Sequence, residues 1–460
     1  MDARNLTVAY IGGGSRAWAW TFMTDLALEP DLGGDIRLYD IDAQAAKNNE
    51  IIGNGVSARK EATGKWRYTA VPTLQAALDG ADVVIISILP GTFREMRSDV
   101  HLPERLGIYQ AVGDTAGPGG IIRALRTIPI FTGFAGAIRQ YAPDAWVINY
   151  TNPMSLCVRA LYQAFPGVKA FGCCHEVFGT QSLLAAAAGR ALGVKGIRRS
   201  DIHVNVLGLN HFTWFDRASY QNHDLMKIYA DFADEFYETG YEDTGENKPD
   251  QCFTFNNRMK FDLFRRYGWI AAAGDRHLAE FMPGDTYLRD PETVEHWGFH
   301  LTSVDWREQN LTRLLARSEA LAAGREEVKL TPSGEEGILL IKALCGLGRV
   351  VSNVNLPNTA LQIANLPPET VVETNAVFSF DDVRPVAAGP LKDDIAALIA
   401  PHAENQADTL QAALQPSRET VYRAFARDPL AGTASNADLR KLADDMIANT
   451  TAYLPDTWKA

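Results

Sequence analysis

The sequence predicts an α/β fold, and three observations carry that expectation. A glycine-rich turn, Gly12-Gly13-Gly14-Ser15-Arg16-Ala17, separates an apolar strand from a helical segment. Apolar strands alternate with helical stretches through the first ~180 residues, as in a parallel sheet with right-handed crossovers. From about residue 200 the pattern changes to alternating strands and long helices. The expected architecture is a Rossmann-type parallel sheet over residues 1–195 and a mixed α+β part over residues 196–460.

Each element has its own signal. Leu6–Ile11 is a buried apolar strand, and Ser15–Leu28 a helix that Pro30 stops. Asp35–Tyr39 is a second strand, closed by Asp40. Ala81–Leu89 is almost purely apolar and belongs at the centre of the sheet. Ala145–Tyr150 is a fourth strand, running into the turn Thr151-Asn152-Pro153, and Val168–Gly172 a fifth. Beyond the boundary, Ile202–Leu207 and His211–Phe215 alternate like antiparallel strands. Gln309–Ala323, Gly334–Cys345 and Lys392–Gln415 read as helices, and Val371–Ser379 as a strand. No Gly/Ser or Pro linker separates the parts, so they should share a large interface.

The composition is that of a globular protein, 46% apolar and 22% charged. A net charge of -12 argues against nucleic-acid or acidic-membrane partners, which repel an anionic surface. The N-terminus lacks a basic stretch followed by an apolar run, and no long apolar stretch suggests a membrane span. Five cysteines, Cys157, Cys173, Cys174, Cys252 and Cys345, are too few and odd in number for a disulfide framework. A reducing, cytoplasmic location is expected.

The turn fits a dinucleotide. Gly12 makes the tight bend, Gly14 lets backbone approach a pyrophosphate, and Ala17 lets helix pack on strand. The helix N-terminus offers free N–H groups to phosphate. Asp40 closes the second strand about 20 residues past the turn, where a carboxylate accepts the ribose hydroxyls of NAD. Asp42 is the alternative acid, and a helix N-cap is the other role open to both. Gly12, Gly14, Ser15, Arg16, Asp40 and Asn149 are the candidate cofactor contacts.

Chemistry-bearing residues gather at the carboxyl edge of the strands, where open α/β sheets bind ligands. Asn152 could hold a cofactor amide or a sugar hydroxyl. Cys173-Cys174-His175-Glu176 follows the fifth strand, and Cys and His are ligands for soft or borderline metals. His211 lies in a second polar cluster, Gly208–Trp214. The residues alone leave open a buried structural cysteine and a satisfied histidine. In Gly274-Asp275-Arg276-His277, Asp275 or His277 could act as acid or base, and Arg276 could bind an anion.

In order and spacing these motifs resemble glycoside hydrolase family 4, the NAD- and divalent-metal-dependent glycosidases. The likeness runs from VAYIGGGS through GPGGIIRALRT, YTNPM, CHEV, GLNHF and GDRHLAEF to Asn365-Leu366-Pro367. This family departs from the two-carboxylate scheme of other glycosidases. The resemblance implies a lactate/malate dehydrogenase-like cofactor domain and a metal, usually manganese, on Cys174 and His211. It implies oxidation of C3 of the terminal sugar by NAD, C2 deprotonation assisted by the metal, elimination, water addition and return of the hydride. Asn152 would touch the sugar, and Asp275 would be the base. The acid would be His175, with Glu176 second, because the phosphoglucosidase branches carry Asp or Asn there. Cys-His-Glu-Val resembles the α-galacturonidase branch, and a uronate needs a cation such as Arg123 or Arg276. The family usually forms homodimers or homotetramers. The alternatives are an α-glucuronidase, α-glucosidase or α-galactosidase of the same family and, more distantly, a 2-hydroxy-acid dehydrogenase of lactate/malate type, which would accumulate NADH.

Overall fold

A computed structural model describes residues 1–242 and 253–458 of the chain; Cys252 lies outside them. Six parallel strands form the first half: β1 Leu6–Ile11, β2 Gly33–Tyr39, β3 Lys65–Ala70, β4 Val83–Ile86, β5 Trp146–Asn149 and β6 Lys169–Gly172. They lie in the order β3-β2-β1-β4-β5-β6, the doubly wound dinucleotide-binding order. The chain leaves β1 toward β2 and later returns on its other side as β4. That reversal opens a crevice at the carboxyl ends of β1 and β4.

Apolar runs explain the centre. All four residues of β4 are buried. Val84 and Ile86 pack with Ile121, Leu125 and Ile128 of the helix Gly117–Tyr141. Val83 and Ile85 pack on the other face with Phe22, Met23 and Leu26 of the helix Trp18–Leu28. Each such side chain contributes about 1.5–3 kcal/mol by leaving water. The strand is shorter than the apolar run Ala81–Leu89, because the chain turns off the sheet into the crevice after Ile86. The first helix likewise starts at Trp18 rather than Ser15, since residues 12–17 are spent on the turn. Gly117–Tyr141 is long and apolar enough to cross a membrane by length and composition, but 61% of its apolar stretch is buried inside the protein.

The second half begins with the antiparallel hairpin of β7 Ile202–Leu209 and β8 Phe212–Tyr220, flanked by β9 His223–Asp224 and β10 Ile270–Ala271. The helices Val304–Ala322, Gly337–Leu344 and Asp393–Leu414 follow close to the expected ranges. β11 Val350–Pro357, β12 Val371–Ser379 and β13 Asp382–Pro385 then join the first sheet, antiparallel, beyond β6. Among the described residues the result is a nine-stranded mixed sheet shared by both sides of position 195. β11 pairs the edge of β6 that would otherwise present open N–H and C=O groups.

Candidate active site

The nucleotide end of the crevice is built from β1, its turn and β2. Gly12 has φ +89°, and a Cβ there would stand 2.0 Å from the Ser87 carbonyl oxygen. The N–H groups of Gly12 and Gly13 donate to the Tyr39 carbonyl, closing the turn on β2. The helix Trp18–Leu28 has no side-chain cap, so its first N–H groups remain available. Asp40 accepts the Gly14 N–H at 2.8 Å, which aims its carboxylate at the turn. Asp42 is employed differently: it caps the helix Ala43–Ser57 through the Ala45 N–H and pairs with Arg16 at 2.7 Å. A cradle that a single Cβ would fill, beside an uncapped helix, fits a dinucleotide phosphate.

Asn149 is buried and works on the backbone. Its amide donates to the Thr151 carbonyl and accepts the Thr151 N–H, shaping the turn that carries Asn152. The Asn152–Pro153 peptide is cis. Asn152 Nδ2 donates to Asp114 Oδ2 at 3.1 Å, while Asn152 Oδ1 is buried without a partner among the described residues. Arg123 Nε donates to the Asn152 carbonyl at 3.2 Å.

Cys174 follows β6, and His211 sits at φ +65° in the β7–β8 turn. Their Sγ and Nε2 atoms stand 3.3 Å apart across 37 residues of sequence. Two ligands at about 2.3 Å and 2.0–2.1 Å from one ion lie at a comparable separation. The donor set, a sulfur and an imidazole nitrogen, therefore fits a borderline divalent metal. Burial pushes the Cys174 thiol well up, with Glu373 and Glu176 adding to it; a bound cation reverses that preference. Burial holds His211 down to about 3, so it stays neutral, as a ligand must.

Two further residues join this cluster. Asp114 and His277 place donor atoms within 4.8 Å of His211's and of each other's. The His277 and His211 rings lie 3.7 Å apart, and His277 Nε2 is 3.7 Å from Glu176. His277 Nδ1 is buried with no partner among the described residues. Burial alone would raise Asp114, but charge led by the Arg123 guanidinium outweighs it and holds the carboxyl well below the usual range. Glu176 follows the same pattern: His277, His175 and the Gly274 N–H oppose burial and bring it to about 2. Behind the ligands, Glu373 accepts from Asn210 and from Asn353, next to His211 and against the Cys174 carbonyl respectively.

The remaining candidates lie around this centre. Asp275 opens the helix Asp275–Glu280, fully buried, accepting the Met259 N–H at 3.4 Å. Burial raises it to about 6, against the pull of Lys260. His175 precedes the helix Glu176–Leu192, with Nδ1 3.4 Å from Glu335 and its ring 5.7 Å from Trp18. It therefore faces the nucleotide side. Arg276 is committed to the carbonyls of His300 and Ala111 and the Thr302 hydroxyl. Sequence reasoning passed over Asp114, Thr115 and Glu373. Asp114 and Thr115 directly precede the GPGG motif and could have been found there; Glu373, inside an ordinary strand pattern, gave no signal.

Comparison with known proteins is decisive. A family model described as family 4 glycosyl hydrolase matches residues 7–190, and its C-terminal domain model matches residues 206–431. The chain belongs to glycosyl hydrolase family 4. Within the family it is 58% identical over 455 residues to an alpha-galacturonidase of Lachnoclostridium phytofermentans, covering 99% of this chain and 98% of the relative. A Bacillus subtilis crystal structure is 50% identical with a TM-score of 0.91, covering 96% of this chain and 100% of the other. A 6-phospho-alpha-glucosidase from gut microorganisms, solved with NAD and Mn2+, is 20% identical with a TM-score of 0.80, over 98% and 99% of the chains. At that identity the likeness establishes the fold alone.

Proposed function

We propose that this family 4 enzyme cleaves terminal α-galacturonides, using bound NAD and Mn2+ or another divalent metal. The observation that carries the reading is the meeting of Cys174 and His211 at 3.3 Å, in the crevice that also holds the Gly12–Ala17 turn. The full-length likeness to an alpha-galacturonidase supports the choice of sugar. When bound, NAD supplies a hydride acceptor and the metal a Lewis acid.

The chain's own residues do the rest. Gly12, Gly14, Ser15 and Arg16 hold the dinucleotide phosphates, Asp40 the ribose, and Cys174 with His211 the metal. Asn152 directs its unpaired Oδ1 at a sugar hydroxyl. Arg123, beside Asn152, takes the uronate carboxylate; Arg276 is already committed to the backbone around Thr302. For the C2 proton we favour His277, whose ring reaches the cluster, over Asp275, which opens the same helix from a separate buried position. His175 remains the proton donor in this reading, since Glu176 is held ionised. A thiolate ligand is oxidisable, which supports a reducing cytoplasmic location. Exposed Val351 on β11 and Phe380 in the turn between β12 and β13 support a homo-oligomer.

The test is a panel of nitrophenyl α-galacturonide, α-glucuronide, α-galactoside, α-glucoside and 6-phosphoglucoside with NAD, Mn2+ and a thiol reductant. The expected result is preference for the galacturonide, loss of activity with chelator, recovery with Mn2+, and no net NADH. Preference for the phosphorylated sugar overturns the substrate; NADH accumulating with turnover overturns the hydrolase mechanism in favour of a dehydrogenase.

A further inference from the structure

A neutral imidazole has one lone pair to give a metal, so a histidine ligand works only in the right tautomer. In this crevice one hydroxyl lies between His211 and a carboxylate. Thr115 Oγ1 is 2.7 Å from Asp114 Oδ1 and 3.0 Å from His211 Nδ1. A hydroxyl has a single proton to donate, and an ionised carboxylate can only accept. The Thr115 proton therefore goes to Asp114, and Nδ1–H of His211 donates to Thr115. That leaves the bare Nε2 facing Cys174 Sγ.

Resting on the reading that Cys174 and His211 hold the metal, we propose that Thr115 is the positioning residue that sets the His211 tautomer for metal binding. Metal-bound histidines commonly donate their second N–H to a carboxylate or carbonyl; in this chain a hydroxyl is interposed and Asp114 stands behind it. The relay is anchored at both ends. Asp114 Oδ2 accepts from Asn152, and the preceding Val112 and Gly113 N–H groups donate to Glu280. Thr115 itself is clamped by the first turn of the helix Gly117–Tyr141. A Cβ at Gly120 would lie 2.4 Å from the Thr115 carbonyl carbon, so only glycine lets that turn close on it.

The test uses the full-length enzyme as Thr115→Val and Thr115→Ser, with Cys174→Ser as the ligand control. Mn2+ dissociation constants are read by electron paramagnetic resonance of the free ion. Nitrogen-15 spectra of the metal-free, histidine-labelled protein report the tautomer. The expected result is Nδ1–H in the wild type and Mn2+ binding about 10- to 100-fold weaker in the valine variant. The serine variant should restore wild-type affinity, which separates a lost hydrogen bond from a folding defect. Undiminished Mn2+ affinity in Thr115→Val, or Nε2–H in the wild type, overturns the proposal. If Cys174→Ser binds Mn2+ as tightly as the wild type, the metal site itself is misassigned and the proposal falls with it.

Discussion

The pairing of Cys174 with His211 depends on a single strained position. His211 holds φ +65°, a conformation that costs a residue with a side chain and persists only where its surroundings enforce it. Asn210, tied to buried Glu373, supplies part of that enforcement. His277 then lies tilted against the ring that Thr115 orients. This geometry separates two candidates for the C2 base. His277→Gln should lower kcat by about 10²- to 10⁴-fold and abolish solvent deuterium uptake at C2, the share a general base contributes. Asp275→Asn should retain C2 exchange. The reverse outcome returns the base role to Asp275. Both residues were visible in the GDRH cluster, but their order of importance was not, because it depends on which of two neighbours a six-residue helix turns toward the crevice. Likewise CHEV and GLNHF were legible as polar clusters, while their meeting is a product of folding.

At the scale of elements, the glycine turn was the most legible feature because its requirement is local. Gly12 needs φ +89° and a backbone approach that leaves no room for a Cβ. Gly12→Ala should therefore cost about 1–3 kcal/mol in backbone strain alone and weaken NAD binding more than it weakens Mn2+ binding; calorimetric titration with each cofactor distinguishes the two. Equal losses would mean that the turn supports the whole crevice rather than the nucleotide. The buried parallel strands were equally plain, since burial on both faces leaves continuous apolar runs. β3 was missed although it alternates, because only Trp66 and Tyr68 point inward, too short a pattern beside the continuous apolar runs of the other parallel strands. β11 was missed for another reason. It carries Asn353 and Asn355 in its buried centre, and asparagine is disfavoured in strands. Asn353 is there to hold Glu373, so a functional demand overrode the strand signal. Which sheet β11 would join was not readable at all, because that is decided by the open edge of β6.

The whole molecule stores protons in its interior, and this sets how its stability varies with pH. Burial raises Glu280 to about 8, although the Val112 and Gly113 N–H groups donate to it. Burial likewise raises Asp428 to about 7, against donors that include Gly117 and Asn405. In the unfolded chain such groups lose their protons near pH 4. Between there and their folded values the native state binds more protons than the unfolded state. Stability is therefore fully present below about pH 4 for these groups and is lost as pH rises through 7 to 8. Buried His402, lowered to about 4 by desolvation, acts in the opposite sense, but its contribution is complete above the ordinary histidine value near 6.5. From pH 6.5 to 8.5 the carboxyls lead, and the thiols of Cys157, Cys173 and Cys174, also held up by burial, act in the same direction. The metal-free enzyme should thus melt at least about 3 °C lower at pH 8.5 than at pH 6.5. Glu280→Gln should shrink that difference: an amide oxygen still accepts both N–H groups, and the new NH2 replaces a buried oxygen that has no partner among the described residues. The variant should match the wild type at pH 6.5 and exceed it at pH 8.5. A melting temperature that is flat across this range, or a variant that is weaker at both ends, would mean that Glu280 is ionised in the folded protein and contributes through its charge.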